Sequence, residues 1–169
     1  MQIELRIPHG DPEALDLALS GLRAFGVRKA ATGDRFPGVW LVANVPNVRR
    51  ELARALSVLH KLNVLFLRRL QARGVPVPPL YDSGIRYQRE PDGREWWQTV
   101  LDNHREGEGD CEDLATHRSA ELEVHAGEFA APIAIKSGRR TYHAQTERGD
   151  GSIEDTSARL GMPSLERTP

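Results

Sequence analysis

The sequence predicts an α+β fold, and three observations carry that prediction. Residues 2–7 (Gln-Ile-Glu-Leu-Arg-Ile) alternate polar and apolar, the period of a half-buried strand. Apolar residues recur at helical spacing in two stretches: Leu15, Leu17, Ala18, Leu22, Phe25, and then Leu52, Leu56, Leu59, Leu62, Phe66. A third helical stretch, beginning near Cys111, leads into short strand-like segments separated by turns.

Each element has a local reason. Pro8 to Pro12 breaks the first strand, with Asp11 placed to cap a helix and Pro12 at its first position. That helix is expected to end at Gly26. Val39 to Val42 is a short apolar strand. Asn47 is positioned to cap a long helix running to about Ala72, with a disturbance expected at Asn63. Gly74-Val-Pro-Val-Pro-Pro79 is an extended break. It divides an N-terminal α/β unit, residues 1–73, from a second unit, residues 74–169. In the second unit Ile85 to Arg89 reads as a strand, Pro91-Asp-Gly93 as a turn, and Glu95 to His104 as a short helix carrying Trp96 and Trp97. Gly107 to Asp110 is a tight turn into a helix reaching about Ala126. Strands follow at Ala131–Lys136, Thr141–Glu147 and Ser152–Asp155, then a polar tail after Met162.

Composition narrows the function. The chain has 169 residues, 39% apolar, enough for one domain or one domain with a small appendage. Its 23 basic and 24 acidic residues nearly cancel, which argues against generic nucleic-acid binding, where phosphate neutralisation demands a basic excess. One cysteine excludes a disulfide framework and any two-cysteine zinc motif. No apolar run approaches the roughly 20 residues that span a bilayer. The N-terminal Met-Gln-Ile-Glu-Leu-Arg lacks the basic and apolar regions of a secretory signal, so a cytoplasmic protein is expected.

That cysteine, Cys111, sits where a glycine-rich turn becomes a helix. Unsatisfied helix N–H groups and the helix dipole favour a thiolate there, while Asp110, Glu112 and Asp113 oppose it. The acidic residues have a capping role, and Asp110 and Glu112 also have the hard oxygens that suit calcium. His143 lies on the next-to-last strand and Asp155 just beyond the last turn. A three-residue loop at Arg148-Gly149-Asp150 would place His143 directly opposite Asp155. Asp150 is the rival orienting carboxylate, but it lies in the turn. Cys111, His143 and Asp155 together supply a nucleophile, a base and an orienting carboxylate. The Cys111 N–H is one oxyanion donor, and Tyr87, Trp96, Trp97 or Gln98 supplies the second.

Gly109-Asp-Cys-Glu-Asp-Leu-Ala115, preceded by Trp96-Trp97 and followed by Tyr142-His143 and Ile153-Glu-Asp155, resembles the transglutaminase-like cysteine peptidase superfamily. The likeness is to bacterial transglutaminase-like cysteine proteinases and their short bacteriophage-encoded forms, and it covers roughly residues 80–162. It implies a papain-like core, with the cysteine helix packed on an antiparallel sheet, and a Cys111–His143–Asp155 triad. It also implies calcium at Asp110 and Glu112. Ala144 and Gln145 follow the histidine where such enzymes often place an aromatic residue.

The expected function is a cysteine hydrolase that cleaves a peptide or isopeptide bond through an acyl-thioester. The alternative is a bacteriophage virion or tail protein that keeps the fold for assembly. A protein or peptide substrate is the expected partner, with other phage structural proteins or a second copy through the N-terminal unit; neither nucleic acid nor membrane is expected. The location is then the host cytoplasm or the virion. Zinc held by His104, His117 and His125 has no supporting spacing, and His117 and His125 read as surface positions. The leucine stripe from Leu52 to Phe66 is core or partner surface, and Lys61, Arg68, Arg69 and Arg73 form a solvated face.

Overall fold

The computed structural model describes residues 1–30, 37–91, 95–139 and 141–163. Asp92 and Gly93 of the expected turn and the tail after Pro163 lie outside them.

Strand β1 (Gln2–Pro8) follows the alternation, with Ile3, Leu5 and Ile7 all buried. Asp11 caps helix α1 (Pro12–Gly21) by accepting from the Ala14 N–H at 2.9 Å. A 3₁₀ turn at Arg23–Phe25 then ends on Gly26. Two strands follow, β2 (Arg28–Lys29) and β3 (Gly38–Asn44). The short β2 pairs only through Val42 and Leu41 and carries no apolar signal of its own, which is why the sequence did not announce it.

Helix α2 (Arg49–Ala72) begins one residue later than expected. Val48, extended and without a side-chain cap bond, occupies the N-cap position in place of Asn47. Nor is the helix disturbed at Asn63. That side chain is fully buried, its Oδ1 accepting from the Val100 N–H at 2.7 Å and its Nδ2 donating to Thr116 Oγ1 at 3.2 Å. A polar residue in an apolar stripe thus ties together three elements.

The second half contains short parallel-paired strands β4 (Arg86–Tyr87) and β6 (Glu108–Gly109), strand β5 (Trp96–Trp97), helix α3 (Val100–Glu106) and helix α4 (Cys111–His125). The expected helix from Glu95 to His104 is corrected here. Trp96 and Trp97 pair with β1 as a parallel strand, and the helix starts only after Thr99, which forms a capping box with Asp102. The first sheet is therefore mixed, in the order β2-β3-β1-β5. A second, antiparallel sheet has the order β7-β8-β9, from Ala130–Lys136, Tyr142–Arg148 and Ile153–Glu154. A one-turn helix α5 (Thr156–Arg159) follows.

The expected division after residue 73 is not a division in the core. Helix α2 packs on α4 and β7 as well as α1, β5 joins the N-terminal sheet, and one apolar cluster runs through both halves. The leucine stripe of α2 is covered within the chain, so it no longer argues for self-association. Among the described residues no helix is long and apolar enough to cross a membrane.

Candidate active site

The turn that delivers Cys111 is built from both ends. Helix α3 closes on Gly107 at φ +74°, a left-handed conformation that favours glycine. At Gly109 the need is space, since a Cβ would lie 2.8 Å from Asn103 Nδ2 and 3.1 Å from Asp113 Cβ. Asp110 then caps α4, accepting from the N–H groups of Glu112 at 3.1 Å and Asp113 at 3.3 Å. Asp113 reciprocates by accepting from the Asp110 N–H at 3.2 Å. Its other oxygen accepts from the Gln98 N–H at 2.7 Å, fixing the strand end beside the helix. The cap engages Glu112 and Asp113 but leaves the Cys111 N–H without an intrahelical partner.

Cys111 is half-buried, and the Ala144 N–H of β8 points at its sulfur. Ala144 follows His143, so the helix N-terminus and the histidine strand meet at this point. His143 Nε2 lies 3.0 Å from both oxygens of Asp155. Among the described residues the side chain bonded to the thiol is Glu112, and His143 is not hydrogen-bonded to it. Gln145 Nε2 donates to the Asp155 carboxylate at 2.8 Å, and the Ala158 N–H donates at 3.0 Å.

The hairpin register differs from expectation. Thr146 faces Glu154 and Glu147 faces Ile153, so the loop is Gly149-Asp150-Gly151 and not Arg148-Gly149-Asp150. Extending that register puts Gln145, not His143, opposite Asp155. His143 still reaches it, because the displacement is two residues along the strand and side chains two apart share a face. Asp150 is spent on the turn, accepting from the Ser152 N–H and hydroxyl at 2.8 and 2.6 Å.

Charge at the site is strongly negative. Burial, followed by Glu112 and Asp110, pushes the Cys111 thiol well above its usual value. The thiol donates to Glu112 Oε2 at 2.7 Å. Burial and the Asp110 charge push Glu112 and Asp113 well up too, and burial raises Asp110. Beside His143, bonds from Ala158, Gln145 and His143 outweigh burial and hold Asp155 below the ordinary carboxylate value.

Among the oxyanion candidates, the indole nitrogens of Trp96 and Trp97 are both sealed from solvent. Trp97 packs in the core, and Trp96 lies against Trp40 with ring centroids 5.8 Å apart. Tyr87 and Gln98 remain beside the helix N-terminus. Burial, then Cys111, Asp110 and Glu112, push the Tyr87 phenol up to about 12, so it stays a donor. Gln98 is 5% exposed, and its Oε1 accepts from Asn103 Nδ2 at 3.4 Å.

The metal candidates regroup. The structure places Asp110 with Glu90 and Glu95, three carboxylates whose oxygens lie within 4.8 Å of one another. Glu112 is not in that group, because it is turned to the sulfur. The trio offers hard oxygen donors that fit calcium. Nothing local in the sequence marks Glu90 and Glu95, which come from the segment before β5. Gln145 could have been found, two positions from His143 on an alternating strand.

The histidines do not converge on the thiol. His117 is buried, not on the surface, and meets His104 edge-on at 5.2 Å between α4 and α3; His125 is exposed. Burial, then His104, push His117 down to about 3.

Compared with protein-family models, with curated proteins and with solved structures, the chain matches none.

Proposed function

We propose that the chain is a cysteine hydrolase of papain-like, transglutaminase-like architecture, acting on a peptide or isopeptide bond. The observation that carries this reading is the His143–Asp155 pair at 3.0 Å, set on the strand whose next N–H points at the Cys111 sulfur. The Cys111 proton passes to His143 Nδ1 as the sulfur attacks the carbonyl carbon. Asp155 holds the imidazole and stabilises its charged form. The oxyanion takes the free Cys111 N–H and the Gln98 amide, the donor facing the pocket at the helix N-terminus. The C–N bond breaks, the amine leaves with the proton from His143, and an acyl-thioester remains. His143 next takes a proton from water, whose attack releases the acid and the thiol.

The resting charge opposes this chemistry. Glu90, Glu95 and Asp110 are the residues that would hold calcium. When bound there, the ion supplies positive charge against the crowded carboxylates.

The raised thiol and its bond to Glu112 favour a second reading, in which the chain is an assembly part of a phage particle with a silent thiol.

Incubation with p-nitrophenyl acetate, followed by intact mass, separates the two. A hydrolase gains one acetyl group on Cys111, loses it again to water, and does neither after His143→Ala. No acetylation, or acetylation indifferent to His143, removes the hydrolase reading.

A further inference from the structure

Strand β9 ends at Glu154, so the ladder does not extend to Asp155, which takes its place from the residue before it. Glu154 points to the other face of the strand. It pairs with Thr146, whose hydroxyl donates to the Ala115 carbonyl of α4 at 3.1 Å, and its side chain is only 10% exposed.

The Glu154 carboxylate is held from several elements. Arg118 of α4 donates to it through Nε at 3.1 Å, Arg159 of α5 at 3.2 Å, and the Tyr81 hydroxyl from the 3₁₀ turn at Leu80–Asp82. Arg148 of β8 adds an ion pair at 3.8 Å. The Tyr81 ring lies under two of the guanidiniums, 4.9 Å from Arg118 and 3.7 Å from Arg159. Arg118 is itself fixed. It donates to Glu121 at 2.6 Å, and Glu121 accepts from the Leu80 N–H at 2.8 Å. Against burial, Tyr81, Arg118 and Arg159 hold the Glu154 carboxyl below its ordinary value.

Arg118 lies about two turns beyond Cys111, so the two share a face of α4. Buried ion pairs return little stability beyond the desolvation they cost, so what this cluster supplies is a fixed direction. We infer that Glu154, clamped by Arg118, is a positioning residue for the proposed reaction, aligning Asp155 with His143 relative to the helix that carries Cys111. The inference rests on the hydrolase reading and names what aligns its orienting carboxylate. Adjacent Cα atoms are held about 3.8 Å apart, so a shift of Glu154 passes on to Asp155. A misplacement of about 1 Å costs about 10²-fold in rate.

The test is a double-mutant cycle on acetylation of Cys111 by p-nitrophenyl acetate, with the melting temperature of each variant measured alongside. Glu154→Gln is expected to slow acetylation by about 10²-fold. In the Asp155→Asn background the same substitution is expected to change nothing further, because Glu154 acts through Asp155. A merely structural role would slow both backgrounds by the same factor. Tyr81→Phe removes one donor to Glu154 and keeps the ring under the guanidiniums. It is expected to slow acetylation several-fold, again only when Asp155 is present, and it decides the question where Glu154→Gln fails to fold. Wild-type rates in both variants, or equal losses in both backgrounds, would overturn the positioning role and leave the hydrolase reading intact. An Asp155→Asn rate equal to the wild type would overturn the hydrolase reading and the positioning role with it.

Discussion

His143 Nε2 sits 3.0 Å from both oxygens of Asp155, although by the strand register Gln145 is the residue opposite that carboxylate. Asp155 thus does two jobs, orienting the imidazole and capping α5 through the Ala158 N–H. Asp155→Asn keeps an oxygen for the cap but loses the charge. It is expected to slow acetylation of Cys111 by about 10³- to 10⁴-fold with little loss of stability. Asp155→Ala is expected to lose the cap as well, costing about 1 kcal/mol in urea denaturation.

The carboxylate of Glu112 accepts the thiol proton donor and helps keep it neutral. Glu112→Gln removes the carboxyl group that accepts from the thiol. The thiol pKa is expected to fall and iodoacetamide labelling near neutral pH to speed up. A slower rate would show that Glu112 activates the thiol.

Burial and the Asp110 charge raise Glu95 to about 7 from 4.5. The fold therefore favours its protonated form. That stability is present below about pH 4.5 and lost as pH climbs to about 7. Denaturation series at several pH values should show this slope in the wild type and its loss in Glu95→Gln. Calcium should raise the melting temperature of the wild type and leave the Glu90→Gln, Glu95→Gln double variant unchanged.

His117 has the opposite sign. Its pKa is pushed down from 6.5 to about 3, so the neutral ring belongs to the fold. Stability is expected to fall as pH drops from 6.5 toward about 3, by up to about 1.4 kcal/mol per unit. A variant with Gln in its place, His117→Gln, should flatten that limb of the denaturation profile.

Gly109→Ala would press a methyl group to within 2.8 Å of Asn103 Nδ2. A loss of about 1–3 kcal/mol is expected, together with slower acetylation of Cys111, because the same turn positions the helix N-terminus.

The elements with a strong period were legible in the sequence. The alternation of Ile3, Leu5 and Ile7, the Asp11-Pro12 start of α1, the apolar stripe of α2 and the glycine turn into α4 all appear in the structure. What was illegible depends on distant partners. Trp96 and Trp97 look helical locally, but the edge of β1 draws them into a strand. Asn63 looks like a flaw in a helix until Val100 and Thr116 arrive. The hairpin loop was misplaced by one residue, and Asp155 stayed on the correct face because that error moves the register by two. Glu90 and Glu95 reach Asp110 only through the fold, and spacing along the chain does not encode their meeting.

The most direct test is the rate of iodoacetamide labelling of Cys111 against pH, in wild type and His143→Ala, with and without calcium. The account predicts a wild-type thiol that titrates above the free-cysteine value of about 8.5 without calcium and lower with it. In His143→Ala the rate below that point should fall sharply under both conditions. Superimposable profiles for wild type and His143→Ala would contradict it, because Cys111 and His143 would then not be acting as a pair.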